Sequence, residues 1–327
     1  MTDLALTDTA APSERAVSAR RAGLSNALFH GASLAAALLV PLVFAGVIVS
    51  LVSGAWPALS KFGLGFLYTE AWRPIHEQFG ALAPIYGTLV TSILAMLVAL
   101  PVGIGIAIFL TELCPRPLRR PLGIAIELLA GIPSIIYGIW GLFVFAPWLQ
   151  EHVQTPLVEL LIDVPVLGTL FGGTPYGIGI FTAGLILSIM ILPFISSVTR
   201  DVLETVPPVL KEAAYGLGCT TWEVMWRVAL PYARTGVVGG AMLALGRALG
   251  ETMAVTFVIG NSHHIMASLF EPGTSISATI ANEFSEATGD IYISSLIALG
   301  LLLFVITFIV LAAAQLMLRA IEKRQGG

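Results

Sequence analysis

Charge is scarce in this chain: Asp, Glu, Lys and Arg supply 11% of its 327 residues, against roughly a quarter in soluble globular domains. With 57% of residues hydrophobic, so sparse a charged surface excludes an ordinary water-soluble domain. Cysteine is nearly missing as well. Cys114 and Cys219 cannot build a disulfide framework and read as reduced structural thiols. His263 and His264 adjoin no carboxylate constellation, so they offer no metal-ligand spacing and read as solvated loop. Lysine occurs only as Lys61, Lys211 and Lys323, preceded by Ser60, Leu210 and Glu322. A phosphate-binding P-loop requires Gly-Lys before Ser or Thr, so this chain cannot hydrolyse ATP by that route. Gly103-x-Gly105 follows no strand and reads as helix packing, not nucleotide binding. No internal repeat is visible, which weighs against the two-halves construction of many secondary transporters.

Long apolar runs are what the chain does have. About 20 apolar residues cross a bilayer as a helix, and backbone groups in lipid must be satisfied within the segment. Six candidates meet that length: Leu28–Ser53, Ile85–Leu110, Leu122–Leu149, Tyr176–Val198, Gly236–Gly260 and Ile291–Leu318. The expected fold class is therefore an all-α integral membrane protein with six transmembrane helices. Pro101, Pro133 and Pro193 fall inside the runs and predict kinks or local unwinding. Trp56, Trp72 and Trp148 lie near run ends and read as interfacial anchors.

Cations accumulate on alternate loops. Arg15, Arg20 and Arg21 precede the first run; Arg116, Arg119 and Arg120 follow the second; Arg200, Lys211, Arg227 and Arg234 follow the fourth; Arg319, Lys323 and Arg324 follow the sixth. The opposite loops carry only Lys61 and Arg73, and hold the acids Glu70, Glu77, Glu151, Glu159, Asp163, Glu271, Glu283, Glu286 and Asp290. The positive-inside rule then places both termini in the cytosol. The expected division is a flexible cytosolic tail over 1–25, a first helix and external loop over 26–78, a core over 79–320 with a cytosolic loop at 199–235, and a tail over 321–327. Glu127 reads as snorkelling or pairing with Arg119 or Arg120, and Ser134 beside Pro133 as a polar lining atom or, as serine in a kinked span more often does, as bonding backbone.

The 205–231 loop predicts a compact knob. Pro207 and Pro208 suit a helix start, Val209–Leu217 a short helix, and Gly218 a break at positive φ. Thr220 and Glu223 have capping-box spacing, predicting a second helix over Thr221–Val228 that Pro231 stops. The residues Glu212-Ala213-Ala214, Gly218, Val228 and Leu230-Pro231 resemble, spacing for spacing, the signature loop of permease subunits of binding-protein-dependent ABC importers. That resemblance implies a loop that docks into a nucleotide-binding subunit, and a type I importer architecture.

Arg247 lies about 18 Å from either end of the fifth run if that run is helical. A central arginine costs about 2.5–3.5 kcal/mol on insertion scales, so it must face protein or water. Glu251 is four residues on, on the same helical face. Small residues at Gly236-x-x-x-Gly240 and Gly246-x-x-x-Gly250 permit close backbone approach. From physics alone, a structural ion pair and an anion-passage site both fit, since guanidinium binds oxyanions through forked donors.

The segments at 79–92, 109–145 and 246–255 look closely like phosphate-specific permeases of the PstC type. This resemblance implies a bacterial inner-membrane transport subunit without enzyme activity of its own. It further implies a PstA-type second permease, two PstB-type ATPase subunits that bind ATP and Mg, a periplasmic PstS-type phosphate-binding protein, and a substrate pathway through Arg247 and Glu251. No cofactor is expected in this chain, and no nucleic acid. The importer loop is also shared by permeases for sulfate or molybdate, and a channel or secondary transporter with a coincidental loop is the reading of a different class.

Overall fold

The computed structural model describes residues 14–323, among which helices dominate and no strand forms. They divide into two units, Met1–Ser53 and Gly54–Gly327. The helix α1, Glu14–Phe62, begins inside the stretch 1–25 expected to be a flexible tail; residues 1–13 lie outside the described ones. Its residues 28–47 are exposed and mostly apolar on every side, the all-round pattern of a membrane-spanning helix.

In the larger unit, α2 (Leu82–Leu113) packs against α5 (Ile180–Glu204). Gly184 sits beneath Leu94, and Gly103 beneath Ile195, each too close for a side chain; small residues of this kind let helices approach in a bilayer. Gly105 has open space and plays no such part. α5 is the central helix, with 67% of its apolar window buried. Its Ser188 and Ser196 are buried and donate to the carbonyls of Leu185 and Pro193, which lets hydroxyls sit in an apolar interior.

The third span differs from the run 122–149. α3 (Arg116–Ala130) and α4 (Ser134–Leu161) meet at 88°. A residue before proline is driven out of the α region, and Pro133 stands at this corner. The Tyr137 hydroxyl donates to the Leu129 carbonyl at 2.9 Å, satisfying one of the acceptors that a helix end leaves open. Glu127 reaches neither Arg119 nor Arg120. It accepts from Arg200 on α5 at 2.8 Å, because α3 lies across the end of α5. Pro101 and Pro193 stay within unbroken helices.

Other prolines are absorbed by a local device. The π turns at Gly141–Phe145, Gln150–Gln154 and Met225–Ala229 each end two residues before a proline that the helix runs through: Pro147, Pro156 and Pro231; after the π turn Phe109–Leu113 the helix ends instead, with Cys114 extended before Pro115. A proline ring collides with the carbonyl four residues back and donates no hydrogen bond. Widening the turn to an i→i+5 pattern moves that carbonyl aside.

Besides the short turns of helix Gly65–Tyr68 and Leu167–Phe171, the chain forms α6 (Pro208–Gly216), α7 (Thr221–Leu249), α8 (Met253–Val258), α9 (Ile276–Glu283) and α10 (Asp290–Lys323). Gly236 and Gly240 of α7 press on Val202 and Val198 of α5, as their spacing predicts. At the acid-bearing end, Trp72 is buried rather than interfacial, within an aromatic cluster of Phe79, Tyr292 and His263. His263 stacks on Trp72 at 5.3 Å and is largely enclosed, which corrects its reading as solvated loop; His264 is exposed. Trp56 and Trp148 are exposed. Both cysteines are free thiols.

Candidate functional site

The knob forms as its sequence dictates. α6 opens on Pro208 and closes in a left-handed turn in which Gly218 has φ +87°. Gly218 N–H donates to Tyr215 at 2.9 Å, and Cys219 N–H to Ala214 at 3.2 Å, the paired bonds of a Schellman motif. The capping box follows: Glu223 N–H donates to Thr220 Oγ1, and Thr220 N–H to the Glu223 carboxylate at 3.0 Å.

Ala214 is buried, in a cluster with Ala107, Leu203, Val224 and Met225. Glu212, Ala213 and Gly218 face outward. Around them lie exposed apolar side chains, Val209, Leu217 and Trp222, with Trp222 tilted against Trp226 at 5.2 Å. The motif is thus split: its small buried alanine seats the knob, and its outward residues offer a surface.

Pro231 does not end the second helix. The π turn at 225–229 carries the chain past it, and α7 runs from the capping box to Leu249. Val228 and Leu230 are half-buried inside this continuous rod and Pro231 is exposed on it. At about 1.5 Å per residue, its 29 residues reach about 43 Å.

A second tie was not legible in the motif. Lys211 Nζ meets Glu112 Oε1 at 2.6 Å, with each side chain 17% exposed. The pair fastens α6 to the end of α2. Spacing cannot reveal partners 99 residues apart, although a lone carboxylate closing an apolar run was a usable signal.

Arg247 lies in the last turn of α7, where a cation complements the helix dipole, with Cζ 4.7 Å from the Phe194 ring centroid. It is exposed on the isolated chain. The expected continuous helix through Glu251 is not formed: α7 stops at Leu249, and Gly250, Glu251 and Thr252 separate it from α8. The i,i+4 geometry is lost, and Arg247 and Glu251 make no salt bridge. Glu251 instead accepts from Ala254 N–H at 3.3 Å, at the start of α8.

Tertiary packing accounts for the break. A side chain at Gly138 of α4 would meet Met253 O at 3.1 Å and the Ala254 Cα at 3.2 Å, so α8 lies directly on the α4 backbone. Gly246 touches Leu311 of α10, whereas Gly250 has no side-chain neighbour. Beside Arg247, α7 exposes a groove of about 530 Å³ lined by Gly239, Leu243, Gly246 and Leu311 among others.

The family described as binding-protein-dependent transport system inner membrane component matches residues 99–324. A phosphate transport system permease protein PstC from Mesorhizobium japonicum is 64% identical over 314 residues, covering 96% of each chain. Its counterpart from Pasteurella multocida is 59% identical, covering 91% of this chain and 93% of its own. Among solved structures, a bacterial alginate ABC transporter in complex with its periplasmic protein aligns with TM-score 0.59 at 20% identity, over 88% of this chain and 94% of that one.

Proposed function

The chain belongs to the family of binding-protein-dependent transport system inner membrane components, and within it to the PstC-type phosphate permeases; on that premise we propose that it carries inorganic phosphate through the bacterial inner membrane as one permease subunit of an ATP-driven importer. It is a multi-pass membrane protein and a transport subunit. Hydrolysis of ATP with Mg belongs in this reading to separate PstB-type ATPase subunits. A PstA-type permease and a PstS-type binding protein complete the assembly. The Lys and Arg distribution supports cytosolic placement of both termini and of the 199–235 loop.

The observation that carries the mechanism is the unbroken helix from the knob to Arg247. Val209, Leu217 and Trp222 form an exposed apolar patch around Glu212, the kind of surface that marks a protein contact site. We assign it to the ATPase. Movement of the seated knob is then passed along α7 as a rigid element, because the Lys211–Glu112 pair and the packing around Ala214 join α6 to it and to α2.

Arg247 is the substrate-facing end of that rod. An arginine against hydrocarbon is costly, so its exposed face belongs to water or to the second permease seated over the α7 groove. There its guanidinium can donate two parallel hydrogen bonds to a phosphate. With Glu251 held by the Ala254 N–H, Arg247 is left uncompensated and available. Straightening of the 250–252 break would return Glu251 to i+4 and let it compete for the same guanidinium, releasing the anion.

The test is uptake of radiolabelled phosphate and sulfate by the reconstituted complex with its binding protein. Phosphate is expected to be taken up and sulfate not, and Arg247→Gln to assemble normally with uptake reduced at least a hundredfold. Uptake retained by Arg247→Gln removes the residue from the pathway, and sulfate uptake assigns the chain to another oxyanion.

A further inference from the structure

Beside the knob, where α5 runs into it, the short helix α3 holds an arginine cluster that the mechanism above does not use. Arg116, Arg119 and Arg120 of α3 and Arg200 of α5 line a cavity of about 320 Å³ together with Ile124, Glu127 and Glu204. Two of these cations are already engaged. Arg200 donates to Glu127 at 2.8 Å and to Asp201 at 3.2 Å, and Arg119 donates to the Thr111 carbonyl. Arg116 and Arg120 are exposed and form no hydrogen bond or ion pair among the described residues.

The helix around them is sharply two-sided. At about 100° per residue, Arg116, Arg120, Gly123 and Glu127 share one face, and Leu118, Leu122, Ala125 and Leu129 share the opposite one. The polar face is turned toward α5: a side chain at Gly123 would meet the Arg200 guanidinium at 2.8 Å. On the apolar face Leu118 and Leu122 are exposed. The 88° corner with α4 lays α3 along the bilayer surface when α4 crosses it. An amphipathic helix with arginines on its polar side and leucines on the other is the arrangement that settles at the headgroup level.

We propose that this cavity is a binding site for a phosphate group, filled by the headgroup of an anionic phospholipid. Arg116 and Arg120 supply two unsatisfied forks for the phosphodiester oxygens. Ile124, 47% exposed and lining the cavity, and Leu128, 67% exposed nearby, lie where acyl chains leave it. Basic pockets beside transmembrane helices select anionic headgroups on these grounds. A free phosphate ion offers the same oxygens without the chains. The lipid would fasten the α3–α5 corner to the membrane surface. This inference depends on the membrane setting of the chain and not on its substrate.

The experiment is native mass spectrometry of the full-length chain in mild detergent, titrated with phosphatidylglycerol or phosphatidylcholine, with and without millimolar orthophosphate. The wild type is expected to prefer phosphatidylglycerol, and Arg116→Gln/Arg120→Gln to bind it roughly thirtyfold more weakly with an unchanged melting temperature. Insensitivity to orthophosphate confirms the lipid as occupant. Displacement by orthophosphate keeps the site but assigns it to the free ion. Equal binding of both lipids to wild type and variant, with no effect of orthophosphate, overturns it. Phosphate uptake is not read in this assay, so its outcome is separate from that of the transport reading.

Discussion

The Lys211–Glu112 pair offers the sharpest test of how the knob is held. At 2.6 Å, the gross attraction is about 6 kcal/mol at an effective dielectric of about 20, most of it offset by the water that each ion gives up. Both side chains are 17% exposed, between the surface and the buried cases. Truncating one partner should therefore cost about 2 kcal/mol, chiefly through the charge left alone. That corresponds to a roughly thirtyfold rise in the undocked population of α6. Hydrogen exchange of the α6 amides reads this population directly when reclosing is fast. Glu112→Gln and Lys211→Met are each expected to speed exchange across residues 208–217 by about thirtyfold. The double variant Glu112→Leu/Lys211→Met leaves no orphaned charge and should lie within about tenfold of wild type. Single variants within twofold of wild type, or a double variant as fast as the product of the singles, would refute the reasoning.

Three further expectations follow from particular residues. Gly218→Ala places a β-carbon at φ +87° and costs about 1 kcal/mol; it should weaken ATPase co-purification without changing the melting temperature of the spans, and intact co-purification counts against the Schellman turn as a docking element. Pro231→Ala removes the collision that requires the π turn at 225–229, so that turn can relax to α and rotate the knob relative to Arg247. Phosphate uptake per ATP hydrolysed should fall while ATPase binding persists, and unchanged coupling would show that the turn has another cause. Burial holds His263 below the usual histidine range, with His264 acting in the same direction and Glu283 opposing. A depressed histidine contributes stability that is present above its unfolded value of about 6.5 and is lost as pH falls from there toward its folded value. Melting temperature should thus drop between about pH 7.5 and 5.5, and His263→Phe, which keeps the stack on Trp72, should flatten the slope; an identical slope in the variant removes His263 as its source.

Local chemistry was readable wherever neighbours in the chain decide the outcome. Gly218 and the Thr220–Glu223 box acted as punctuation because their hydrogen bonds close within a few residues. The 88° corner at Pro133 was foreseen only as a kink, since its angle depends on what α3 lies against. Pro231 misled for a related reason: proline ends a helix unless the preceding turn widens, as Met225–Ala229 does. His263 was misread because Trp72 and Glu283, which enclose it, are distant in sequence.

Length, apolar content and the placement of sixteen cations were enough to determine a helical membrane protein, since burial in lipid is an accounting of charge and of backbone hydrogen bonds along a single chain. Which way Arg247 looks was decided by the fold alone. Packing of α8 on the bare backbone at Gly138 ended α7 at Leu249, drew Glu251 to another donor and left the guanidinium over Phe194. Periodicity places two residues on one face only while the helix continues, and whether it continues depends on neighbours that no local pattern contains.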